Sequence, residues 1–307
     1  LLMVALMLIS FGCTKDDDVD PFVEMMNYLV DNGRDIDDIL AGGLWIVSAQ
    51  AVHDNPDNYY VIDVRAAADY AAGHIPGAVN LPLADVLTAA EAAPAGKIIA
   101  TVCYTGQSAG HATAALRMMG YDARTLKWGM SGWNPENDAW TNRCASPAVG
   151  NANWTKNAPA VAQEFDYPEF ETDLEDGAEI LTERVEYMLS KGYQGVAAAD
   201  VLGSPGNYFI NNFWDATAWN TYGGFVGAYR IFPMTLENNE IMGLDPSKTV
   251  VTYCWTGQTS SVVTAYLTAL GYNAQSLSNG VNSLIYSELA AGETKWNPDA
   301  IPEFEKE

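Results

Sequence analysis

Cys103-Tyr104-Thr105-Gly106-Gln107-Ser108 returns 151 residues later as Cys254-Trp255-Thr256-Gly257-Gln258-Thr259. The register runs on without a gap. Leu116, Gly120, Tyr121, Ala123, Leu126 and Gly129 face Leu267, Gly271, Tyr272, Ala274, Leu277 and Gly280. Twelve of the 31 positions from Cys103 to Trp133 are identical, too many in one register for coincidence. A repeat of this length means two copies of a whole domain, not a solenoid of short units. Upstream the register drifts by one or two residues. Val47-Ser48-Ala49-Gln50 then faces Val196-Ala197-Ala198-Ala199, and Asn58-Tyr59-Tyr60 faces Asn207-Tyr208-Phe209.

Around each cysteine the pattern is strand, loop, helix. Tyr59-Tyr60-Val61-Ile62 and Ile98-Ile99-Ala100-Thr101-Val102 are short aromatic and β-branched runs of the kind that form buried strands. After the loop, Ala109, Ala112, Leu116 and Met119 recur at helical spacing, and Gly120 stops the helix. Val250-Val251-Thr252-Tyr253 and a helix over Ser260 to Leu270 repeat the pattern. Strands alternating with helices predict α/β domains with mainly parallel sheets flanked by helices. Sites in such sheets lie at the carboxyl ends of the strands, where both cysteines fall.

A cysteine between a strand and a helix N-terminus occupies an anion site. The backbone N–H groups of Tyr104 to Ser108 are expected to curl around the sulfur, and the helix dipole adds partial positive charge. Both favour the thiolate, the nucleophilic form. Gly106 allows a curl that a Cβ would obstruct. The competing reading is a buried structural thiol under a helix-capping loop, which one copy alone would not exclude. The chemistry requires that a donor reach the sulfur.

These residues resemble a known family. Cys-x-x-Gly-x-Ser followed by a helix is similar to the active-site loop of rhodanese-like sulfurtransferases. Asp63-Val64-Arg65, His74-Ile75-Pro76-Gly77-Ala78, and the closing Gly129-Met130-Ser131-Gly132-Trp133 resemble its other signatures. The resemblance covers Leu44 to Asn134 and, with fewer matches, Gly195 to Leu284. It implies that Cys103 and Cys254 are catalytic. Each would take a sulfane sulfur from a small donor such as thiosulfate or a polysulfide and pass it to a thiol or cyanide. Tyr104 to Ser108 and Trp255 to Thr259 would form the persulfide-binding loops, as an oxyanion hole does for oxygen. No metal or organic cofactor is implied. Asp63 and Arg65 read as framework, with Arg65 placed to pair with Asp69 one helical turn on.

The second copy departs from this pattern. Asn212 and Trp214 stand for Asp63 and Arg65, and Gly224-Phe225-Val226-Gly227-Ala228 stands for His74 to Ala78. Neither loop carries a basic residue, which points to a less charged donor. A related phosphatase would need an arginine six residues after the cysteine. Ala109 and Ser260 occupy those places. The rival reading is non-enzymatic: degenerate domains that bind a partner or carry sulfur stoichiometrically.

Fifteen basic against 39 acidic residues give a net charge of −24, a field that repels phosphate backbones and argues against nucleic-acid binding. Three histidines, and no two cysteines in a Cys-x-x-Cys spacing, argue against structural zinc. Cys144 has no counterpart in the second copy and reads as a spare thiol rather than a resolving partner for Cys103. The apolar run from Leu1 to Phe11 ends at Gly12-Cys13, and eleven residues suit a signal-peptide core but not a membrane span. Ser10-Phe11-Gly12-Cys13 resembles a bacterial lipobox. The resemblance implies an exported lipoprotein of the cell envelope, with Cys13 lipidated and the anchor its contact with the membrane. The expected division is signal at 1–13, tether and N-terminal helix at 14–43, first domain at 44–134, connector at 135–176 and second domain at 177–307.

Overall fold

The computed structural model describes residues 20–292 and 294–307. The lipobox-like segment and Cys13 lie outside them. Asp20 opens the described chain as an N-cap, its carboxylate accepting from Phe22 N (2.9 Å) and Val23 N (3.4 Å). The first repeat then runs α1 (Pro21–Asp31), α2 (Ile36–Leu40), β1 (Ile46–Val47), α3 (Ala49–Asp54), β2 (Tyr59–Asp63), α4 (Ala67–Ala71), β3 (Val79–Asn80), α5 (Val86–Glu91), β4 (Ile98–Val102), α6 (Gln107–Met118) and β5 (Ala123–Leu126). Its five strands lie in the order β1-β5-β4-β2-β3, and every pair is parallel. Val61 and Ile62 of β2 and Ile99, Thr101 and Val102 of β4 are buried, as a sheet covered on both faces demands.

After β6 (Trp154–Thr155), the second repeat runs α7 (Gly177–Lys191), β7 (Gly195–Val196), α8 (Ala198–Gly203), β8 (Phe209–Asn212), α9 (Ala216–Tyr222), β9 (Gly224–Phe225), β10 (Val250–Tyr253), α10 (Gln258–Ala269) and β11 (Ala274–Leu277). Its four parallel strands follow the order β7-β11-β10-β8, matching the first repeat without the outer strand. At the outer position the pairing shrinks to one parallel bridge, Asn211 to Tyr229, while β9, just upstream, pairs antiparallel with β6 of the connector. The chain is thus α/β with two mainly parallel sheets flanked by helices, as the alternation predicted.

Register confirms the alignment of the two copies. Asp63 sits beside Val102 in the first sheet, and Asn212 sits beside Tyr253 in the second, each one residue before the cysteine's own position. The His74–Ala78 turn also survives its change of sequence. Ala78 N donates to Ile75 O (3.0 Å), and Ala228 N donates to Phe225 O (3.1 Å). Gly77 and Gly227 supply the left-handed residue in each turn, at φ +75° and +78°.

The repeats share one apolar layer. Helices α1, α2, α5, α6, α7 and α10 bury a common core in which Leu116 and Met118 of the first copy join Val262, Val263 and Leu267 of the second. Each copy keeps a smaller core on its far face. At the centre, α6 and α10 cross closely enough that a Cβ on Gly110 would lie 3.1 Å from Gln258 O. Asp35 adds a polar tie, its carboxylate accepting from Leu236 N (2.8 Å), Glu237 N (3.0 Å) and the Tyr266 hydroxyl (2.9 Å). Residues 304–307 cross back to the first copy. Phe304 N donates to Trp133 O, Trp133 Nε1 donates to Glu305 O (2.8 Å), and His74 and Glu307 exchange backbone hydrogen bonds. No helix among the described residues is long and apolar enough to cross a membrane.

Candidate active site

Cys103 follows the last residue of β4, and α6 begins four residues later. Gly106 makes the sharp entry into the helix at φ +81°. That conformation turns two backbone N–H groups onto the sulfur: Gly106 N at 3.1 Å and Ala109 N at 3.4 Å from Sγ. The loop was expected to use N–H groups from Tyr104 to Ser108. Of these Gly106 donates to the sulfur, and the second donor is Ala109, which lies in the first helical turn. A helix N-terminus exposes its first N–H groups, so the donor set belongs to the helix as much as to the loop.

The loop rests on the turn after β5. Met130 N donates to Cys103 O (2.7 Å), and the Ser131 hydroxyl donates to Tyr104 O (2.8 Å). Gly129, at φ +62°, permits this stacking, because a Cβ there would lie 2.7 Å from both Thr105 N and Gly106 N. The second copy repeats the device. Val281 N donates to Cys254 O (3.1 Å), Asn282 Nδ2 donates to Trp255 O (2.8 Å), and a Cβ on Gly280 would lie 2.6 Å from Gly257 N. Cys254 Sγ accepts from Ser260 N at 3.3 Å and lies 3.5 Å from Ser260 Oγ, which also meets Ser276 Oγ at 2.8 Å.

The framework residues are arranged differently from the expectation. Arg65 pairs with Asp63, not Asp69. Its Nη2 reaches Asp63 Oδ2 at 2.6 Å and its Nε reaches Oδ1 at 3.0 Å, with both side chains 1% exposed. A second bond from Nη2 to Gly73 O (2.9 Å) holds the guanidinium in place. Pairing with Asp69 would need helical geometry at Arg65, but α4 starts only at Ala67, so residue i+4 is not its neighbour. Asp69 instead engages the Tyr104 hydroxyl. Tyr104 is pushed up to about 12, first by burial and then by that carboxylate.

Arg65 also lies over the Tyr104 ring, 5.4 Å from its centroid. At the same place in the second copy, Trp214 stacks on Trp255 at 4.4 Å, with Tyr222 edge-on at 5.4 Å. A cation over an aromatic ring in one copy is an aromatic stack in the other. In both cases the partner is the residue that follows the cysteine.

Access is narrower than the chemistry asks. Cys103 is 3% exposed and Cys254 only 1%. Ser108 and Thr259 turn outward and are half-exposed, while Thr105 and Thr256 are buried. The side chains of Gln107 and Gln258 face the opposite repeat, a direction that sequence reading missed although the pair is identical in both loops. Cys144 is a free, half-buried thiol, pushed up to about 11 by burial and by Asp138.

Comparison with known proteins agrees with this geometry. The rhodanese-like domain family matches residues 48–136 and 215–285, more than half of the chain. No curated protein matches it. Among solved structures, the chain is similar to a rhodanese-related protein from Thermoplasma volcanium, at 23% identity over 29% of this chain and 88% of that one (TM-score 0.27). It is also similar to a rhodanese-like domain protein from Staphylococcus aureus, at 22% identity over 29% of this chain and 89% of that one (TM-score 0.27). A thiosulfate sulfurtransferase from Pseudomonas aeruginosa aligns with 83% of this chain and 46% of its own, at 14% identity (TM-score 0.31). The cysteine loops at the carboxyl ends of parallel strands define a tandem α/β protein with one buried cysteine loop in each repeat. The chain belongs to the rhodanese-like family, with one domain in each repeat.

Proposed function

We propose that the chain is a sulfurtransferase that carries sulfur as a persulfide on Cys103. The observation that carries this reading is the pair of N–H groups, from Gly106 and Ala109, aimed at Cys103 Sγ. They favour an anionic sulfur before transfer and an anionic persulfide after it. With thiosulfate as donor, the Cys103 thiolate attacks the sulfane sulfur. An S–S bond forms to Cys103, the bond to the sulfonate sulfur breaks, and sulfite leaves with the electron pair. Cyanide or a thiolate then attacks the outer sulfur and displaces the Cys103 thiolate, with no net redox change. The Asp63–Arg65 ion pair, neutral as a unit, braces Tyr104 in the wall of the loop.

The two copies differ in how well they support this. Cys254 has one backbone donor, Ser260 N, where Cys103 has two, and the residue after it, Trp255, stacks on Trp214 where the first copy has Arg65. We therefore assign turnover to Cys103. The low exposure of both sulfurs favours a second reading, in which the domains bind a partner or hold sulfur stoichiometrically. A thiosulfate:cyanide assay on the unmodified protein, Cys103→Ser and Cys254→Ser separates the two. Cys103→Ser should lose turnover, along with the mass gain of about 32 Da that one sulfur adds after donor treatment. Cys254→Ser should keep both. Absence of turnover and of added sulfur on Cys103 in the unmodified protein would overturn the enzyme reading.

Export and lipid anchoring belong to the same proposal and rest on Ser10-Phe11-Gly12-Cys13. Cells fed labelled palmitate should label the protein, and Cys13→Ala should abolish that label; equal labelling of both removes the anchor.

A further inference from the structure

Gln107 lies inside the Cys103 loop, yet three hydrogen bonds from the second repeat converge on it. Its Oε1 accepts from Asn279 N at 2.7 Å and from the Tyr193 hydroxyl at 3.1 Å. Its backbone carbonyl accepts from the Ser261 hydroxyl on α10. Within its own loop, Gln107 Nε2 donates to Thr105 Oγ1 at 2.9 Å. The residue is 5% exposed, so these bonds form away from water, where an unmade bond is costly.

Gln107 is also the first residue of α6, between Gly106 and Ala109, whose N–H groups hold Cys103 Sγ. Fixing its main chain and side chain fixes the direction of both donors.

The support runs one way. Gln258 is the counterpart of Gln107 and packs over Gly106, but its buried Nε2 has no hydrogen-bond partner among the described residues. The first repeat therefore does not return to Gln258 what the second gives to Gln107. This asymmetry matches the state of the two sulfurs, since the more covered one belongs to the half that donates support.

We propose that the second repeat is the positioning frame of the Cys103 site, with Tyr193 and Ser261 as positioning residues that act through Gln107. Neither residue touches the sulfur. The Tyr193 hydroxyl suits the task because it remains a donor: burial pushes it up to about 12, and ionised Cys103 or Cys254 would push it the same way. The inference rests on Cys103 being the reactive sulfur. It does not need sulfur transfer, so a failed cyanide assay leaves it standing.

The test is the pH profile of Cys103 alkylation by iodoacetamide, followed peptide by peptide with mass spectrometry. In this reaction the thiolate forms an S–C bond and iodide leaves. Tyr193→Phe combined with Ser261→Ala should slow alkylation of Cys103 at pH 7 about fivefold, the size of one net hydrogen bond, and move the profile to higher pH. Tyr193→Phe alone removes one hydroxyl, keeps the test open if the double variant does not fold, and should move the profile in the same direction by less. Thr264→Val is the control, because Thr264 is buried on α10 and its hydroxyl has no hydrogen-bond partner among the described residues. It should leave Cys103 unchanged. A folded double variant with the original profile would overturn the proposal, as would a Thr264→Val shift of equal size. So would a Cys103 that does not alkylate in the unmodified protein.

Discussion

Arg65→Leu is expected to destabilise the protein by about 3–5 kcal/mol, read as a lowered urea midpoint. The reason is what it leaves behind. Asp63 is 1% exposed and takes its compensation from Arg65, through Nε and Nη2 and the Arg65 backbone N–H at 3.0 Å. With the guanidinium gone, a carboxylate remains buried at the end of β2. Asp63→Asn in the same chain removes that charge, so the double variant should recover a good part of the loss. If the single and double variants melt alike, the pair contributes packing and not charge compensation. The second repeat already lives with the neutral solution, having Asn212 and Trp214 at these places, both buried. The variants should also move Tyr104, whose ring lies under the guanidinium beside Cys103.

The second large effect is a loss of stability in acid that passes through one histidine. His111 is fully buried on α6, edge-on to Tyr193, and burial depresses it from 6.5 to about 4 despite the pull of the Met188 carbonyl. The folded state therefore resists a proton that the unfolded chain accepts below pH 6.5. The stability associated with neutral His111 is intact above pH 6.5 and is lost as pH falls toward 4. The full difference is about 3 kcal/mol. Val262 holds the equivalent place in the second repeat, so His111→Val is a substitution this architecture already accepts. Carboxylates titrate in both proteins and cancel in the comparison. Urea unfolding at pH 7 and pH 4 should show His111→Val losing less stability than the unmodified chain. Parallel losses would mean that His111 gains a partner on protonation.

Much of the fold was legible because its signals are local. Ile98–Val102 and Val250–Tyr253 form strands over the residues that their β-branched side chains marked. Gly120 ends α6 at φ +88°, as a helix stop should. The helix of the second copy begins at Gln258, two residues before the apolar spacing suggested, because Gly257 at φ +76° turns the chain into it. Hydrophobic periodicity does not see such an entry. The candidate site was legible as a loop but not as a set of donors. Gly106 was expected to bend the chain, but whether an N–H reaches the sulfur depends on the turn that follows, which brought in Ala109 and left out Tyr104 and Ser108. Non-local contacts were out of reach. Gln107 and Gln258 are the same residue in the same loop, and only the crossing of α6 and α10 makes one a hub and leaves the other with an idle amide. The stack on Trp255 is likewise made by Trp214, distant in sequence and brought alongside by the parallel pairing of β8 and β10.

The return of residues 304–307 to the first repeat bears on how the chain matures. Asn134 Nδ2 waits for Phe304 O across 170 residues, and the ring of Phe304 stacks on His53 at 3.9 Å. During synthesis the amino-terminal half emerges first but lacks these contacts until the carboxyl-terminal half has followed it out. The half that carries the more accessible thiol is thereby completed late, once its partner is already present to brace it.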